Sequence, residues 1–107
     1  MATPYSTQLV NAAYLAPHPL AVVYTVPASS LIVITSVDVW LFNNAANQTS
    51  FVEIGNGILL YRTSAAAEVI NQTWTGKQVL TAAQTIQFQS QGANARLAIT
   101  GYLLRPV

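Results

Sequence analysis

The chain has 107 residues, 52% of them hydrophobic and only 7% charged, with a net charge of +1 and no cysteine. One domain fits that length, the missing cysteine excludes disulfides and thiolate metal sites, and the lack of any basic run leaves phosphate-backbone binding without an electrostatic footing. Soluble domains ordinarily carry about 25% charged residues. Here Asp38, Glu53, Arg62, Glu68, Lys77, Arg96 and Arg105 stand singly, so the polar surface falls to Thr, Ser, Asn and Gln. Neutral polar groups cost less to desolvate than charges, which suits a surface that neighbours cover.

In chain order, residues 1–20 are low in aliphatics and interrupted by Pro4, Pro17 and Pro19. They read as an N-terminal arm or first edge strand, ordered by partners rather than by its own core, ahead of a sandwich domain over residues 21–107. Residues 8–15 suit a helix, a strand or an extended arm. Residues 1–10 lack the basic and apolar regions of a signal peptide, an expectation of use without secretion.

Residues 21–26 predict a strand that ends at Pro27 and an Ala28-Ser29-Ser30 turn. Residues 31–42, dense in β-branched and aromatic side chains, predict a longer one. At 12 residues, with Thr35, Ser36 and Asp38 inside it, this stretch falls short of the roughly 18 residues of a membrane helix. Strands over 50–54 and 58–63 flank Gly55-Asn56-Gly57, a tight-hairpin signal because Gly and Asn tolerate positive φ.

Residues 64–67 suit one helical turn or a loop. Residues 68–75 and 78–81 predict two strands separated by a Gly76-Lys77 turn. Thr85-Ile86-Gln87-Phe88-Gln89 alternates cleanly, with Ile86 and Phe88 inward. Residues 96–104 place Leu97, Ile99 and Leu103 on one face, with Gly101 marking a bulge or a close backbone approach. About eight short strands at spacings of about 8–12 residues predict an all-β fold, a single antiparallel β-sandwich of jelly-roll type.

Catalytic chemistry has little to work with, and the expectation is a non-enzyme that needs no cofactor. His18, the one histidine, lies between two prolines and reads as an exposed or interface residue rather than a general base. Asp38, Glu53 and Glu68 have no spacing that suggests a glycosidase pair. No metal site is expected, since paired histidines and Asp-rich loops are missing. The Gly55-Asn56-Gly57 segment lacks the Lys-Ser/Thr and the following helix of a phosphate loop. Two sequons, at Asn47 and Asn71, read as accidental in a chain rich in Asn and Thr. Of the aromatics, Tyr24, Trp40 and Tyr102 are expected to bury against the facing sheet. Tyr5, Tyr14, His18 and Trp74 are the candidate interface residues.

Two stretches carry a resemblance. Val23-Tyr-Thr-Val-Pro-Ala-Ser-Ser-Leu-Ile-Val-Ile-Thr-Ser-Val-Asp-Val39 resembles the opening of small β-sandwich modules in tailed-phage virion proteins. Trp74-Thr-Gly-Lys-Gln-Val-Leu-Thr-Ala-Ala-Gln-Thr-Ile86, followed by Leu97-Ala-Ile-Thr-Gly-Tyr102, is similar to the second half of such a module. Ser29 and Ala83 stand where that pattern usually has Gly, which puts the conformation of both turns in question. The resemblance covers residues 22–104 and brings no catalytic residue with it.

It implies a bacteriophage structural protein, made in the host cytoplasm and located in the virion. The expected function is that of a capsid decoration (cement) protein that stabilises the head. Its expected partners are itself, as a homo-oligomer and specifically a homotrimer, and the major capsid protein or other virion proteins, with no nucleic acid and no membrane. The alternative is a tail-tip or fibre module that binds a host glycan or receptor, and a freestanding lectin-like or toxin-like domain ranks below both.

Overall fold

A computed structural model describes residues 7–14, 18–54, 57–92 and 94–104. These form eight strands: β1 (Thr7–Tyr14), β2 (His18–Thr25), β3 (Leu31–Asn43), β4 (Thr49–Ile54), β5 (Gly57–Thr63), β6 (Glu68–Thr81), β7 (Thr85–Ser90) and β8 (Asn94–Leu104). None of the described residues is helical. Two four-stranded antiparallel sheets result, in the orders β1-β8-β3-β6 and β2-β7-β4-β5.

First and last strands pair, as do second and seventh, third and sixth, and fourth and fifth. The β3–β8 and β4–β7 ladders then knit these pairs into sheets. A single long hairpin, closed at β4–β5 and rolled over on itself, gives this order, which is the topology of a jelly roll.

Alternation explains which side chains meet. On β4, Ser50, Val52 and Ile54 are buried; on β7, Ile86, Phe88 and Ser90 are. On β3 the inward set is Ile32 and Ile34, then Val37, Val39 and Leu41. The parity changes at Thr35 and Ser36, where β3 carries one more residue than β8 between the pairs Ile34–Gly101 and Ser36–Thr100. The Thr35 hydroxyl donates to the Thr100 carbonyl at 3.1 Å and occupies that bulge. Phe88, Ile32, Ile34, Leu41, Ile86, Leu97 and Ile99 are fully buried at the centre. Each contributes about 1.5–3 kcal/mol over its exposed state.

Some expectations need correction, and the alternatives left open at residues 7–14 and 64–67 are decided. Residues 68–81 form one strand, because the extra residue at Gly76-Lys77 is absorbed as a bulge rather than spent on a turn. Between the pairs Ile34–Gln78 and Ser36–Thr75, one residue of β3, Thr35, faces two of β6, Gly76 and Lys77. Residues 64–67 form a loop. Within it the buried Ser64 hydroxyl donates to the Ala45 carbonyl at 2.7 Å and accepts from the Gln48 N–H at 3.0 Å. Residues 7–14 form an edge strand paired to β8, with Val10 in the core, so this part of residues 1–20 belongs to the sandwich. Trp40 and Tyr102 alternate with buried neighbours and therefore face outward, whereas Tyr24 packs on the core.

Candidate functional site

Of the four expected interface residues, Tyr5 lies outside the described residues. Tyr14 and His18 come together at the sandwich edge where β1 of one sheet passes to β2 of the other. Their ring centroids are 4.2 Å apart, and Phe88 stands 5.4 Å from the first and 5.6 Å from the second. His18 Nδ1 lies 3.1 Å from the Phe88 carbonyl oxygen. A carbonyl only accepts, so Nδ1 carries the hydrogen. Burial raises the Tyr14 phenol above its ordinary value. The three rings close one side of the core.

Trp74 pairs with Val37 across β3–β6 and packs against the core from the edge strand. Its ring covers Gly76, where a Cβ would come within 3.0 Å of Cζ2. The half-buried indole seals the sheet margin.

The titratable groups do not converge. Asp38 lies on the outer face of the first sheet and accepts a hydrogen bond from Thr73 Oγ1 at 2.6 Å. Glu53, between the buried Val52 and Ile54, faces out from the second sheet. Glu68 accepts from the Ala65 N–H at 3.1 Å. Among the described residues, no group of three His, Asp or Glu side chains is placed to hold a metal ion, and no helix is long and apolar enough to cross a membrane.

Two other features stand out. One is a depression of about 290 Å³ on the outer face of the β1-β8-β3-β6 sheet, bordered by Gln8, Asn11, Trp40, Phe42, Arg96 and Ala98. It exists because Ala98, on β8, is small and lies between larger side chains on β1 and β3. Ala98 pairs with Asn11 on one side and with Asp38 on the other, and Trp40 pairs with Arg96 two residues along β8. The apolar run of residues 31–42 hid this site in the sequence. Only the inward set Val37, Val39 and Leu41 reveals that Trp40 and Phe42 take the opposite face.

The other is the placement of the exposed large apolar side chains. Leu20 and Val22 are on β2; Ile58 and Tyr61 are on β5; Val69 and Val79 are on β6. All three are edge strands.

The described residues thus form an eight-stranded antiparallel jelly roll with apolar edges and an amphipathic hollow on a sheet face. Comparison with protein-family models and with curated protein sequences finds no match.

Proposed function

We propose that this is a non-enzymatic virion structural protein, a capsid decoration protein that assembles as a homo-oligomer on a phage head and stabilises it. The observation that carries the reading is the apolar character of both long sides of the sandwich. Leu20 and Val22, 45% and 51% exposed, lie on one side, and Ile58, Tyr61, Val69 and Val79, 51–67% exposed, lie on the other. An open sheet edge with exposed aliphatics invites a partner. Two different apolar sides favour head-to-tail contacts, which close into a ring when the rotation allows, and a trimer is the smallest such ring. The low charge and the resemblance to tailed-phage modules support the virion setting.

Removing the protein from particles tests the reading. Heads without it should release DNA at lower temperature or on chelation, with adsorption to cells unchanged, because a ligand bound to every lattice site stabilises the lattice by its binding free energy. Sturdy heads with failed adsorption would assign the protein to the tail. Sedimentation of the purified protein should show a stable oligomer, and Val22→Lys or Val79→Lys should dissociate it.

A further inference from the structure

We propose that the depression beside Trp40 binds an acidic saccharide, a pyranose ring that bears a carboxylate. Its borders divide by chemistry. Trp40 and Phe42 on β3 supply aromatic surface, Gln8 and Asn11 on β1 supply neutral amides, and Arg96 on β8 supplies the cation. At about 290 Å³ the hollow is at the small end of ligand sites, where a few polar groups fix a mostly apolar contact. Sugar rings present one face of C–H groups and a rim of hydroxyls. The first suits an indole surface; the second needs paired donors and acceptors, which a primary amide carries in one group.

The amides are already oriented. Asn11 Nδ2 donates to Gln8 Oε1 at 3.2 Å, which leaves Asn11 Oδ1 as an acceptor and Gln8 Nε2 as a donor. Arg96 selects the acidic member of the class. It is exposed, and the acid nearest in register, Asp38 on β3, accepts from Thr73 on β6 instead. A guanidinium so placed can take a carboxylate through two parallel N–H···O bonds. Of the three acidic residues, Asp38 stands opposite Ala98 beside the hollow with its carboxylate engaged by Thr73 on β6, and Glu53 lies on the other sheet, so the cation at Arg96 sets where a carboxylate is held.

The test follows the two indole N–H signals by NMR in the full chain during titration with tetragalacturonate, with cellotetraose as the neutral control and citrate as the carboxylate without a sugar ring. The Trp40 signal should shift saturably with tetragalacturonate while that of Trp74 does not. Cellotetraose should bind at least about tenfold more weakly, the effect of losing one charge-assisted hydrogen bond. Arg96→Gln should bring tetragalacturonate down to the cellotetraose level, and Trp40→Ala should abolish the binding of both while the variant stays folded at the titration temperature. No saturable shift at Trp40, equal binding of the two oligosaccharides or of citrate, or wild-type affinity in Arg96→Gln would each overturn the proposal.

Discussion

Gly101 on β8 passes so close to Val33 on β3 that a methyl group there would overlap the Val33 carbonyl oxygen. It would also stand 3.0 Å from that carbonyl's carbon and 3.1 Å from Ile34 Cα. All of these are backbone atoms of the neighbouring strand, so no rotamer change relieves the overlap. Gly101→Ala should therefore destabilise the protein by about 3 kcal/mol. Urea denaturation measures it, and a loss below about 1 kcal/mol would mean that the bulge at Thr35 shifts to make room.

Ser29 and Ala83 hold left-handed backbone, with φ of 58° and 70°. Ala83 is the third residue of a turn in which the Gln84 N–H donates to the Thr81 carbonyl at 3.1 Å, and its own N–H donates to Val26 at 3.0 Å. A residue with a Cβ is strained there, while glycine is not. Ala83→Gly and Ser29→Gly should each stabilise the fold by about 0.5–1 kcal/mol, less strain outweighing the greater entropy of the unfolded chain. A lower melting temperature in both would count against the assigned turn geometry.

The two tryptophans should separate cleanly. Trp74→Ala uncovers the core margin at Gly76 and should cost about 2–3 kcal/mol. Trp40→Ala removes an outward side chain and should cost about 1 kcal/mol or less. Thermal melts of the two variants decide it, and a larger loss at Trp40 would reverse their assignment to inner and outer faces.

Tyr14 should govern the alkaline limit. Burial raises its phenol above the ordinary value, so between the two pKa values the folded state holds a proton that the unfolded state has lost. Its stabilising contribution is complete below about pH 10, the unfolded value, and is lost as pH rises through the folded one. Denaturation midpoints across pH 9–12 should fall in the wild type and fall less steeply in Tyr14→Phe, and parallel curves would remove Tyr14 from that role.

Most strands were legible, because turn residues punctuate the chain and short apolar runs alternate. Ile86 and Phe88 in β7 have that pattern and are buried. Gly101 was legible as a bulge or a close backbone approach, and it stands at both, against Val33 and next to the register shift of β3 and β8. The continuity of β6 through Gly76-Lys77 is not legible in the sequence, since glycine signals a turn and a bulge equally and only the partner strand distinguishes them. Residues 7–14 were ambiguous for a related reason. Their pairing partner, β8, lies at the far end of the chain.

The candidate site was less legible than the fold. Tyr14 and His18 are close in sequence, but their packing on Phe88 needs a contact 70 residues away from His18. Trp40, Arg96, Gln8 and Asn11 come from three strands and no local spacing relates them. By itself the sequence determined the all-β class, the low charge and most strand positions, because local periodicity and turn chemistry act within a few residues. Tertiary structure alone decided which strands pair within the jelly roll, the bulge in β6 and the outward faces of Trp40 and Tyr102. Those depend on register between strands far apart in the chain, and a one-residue shift in register reverses every side chain.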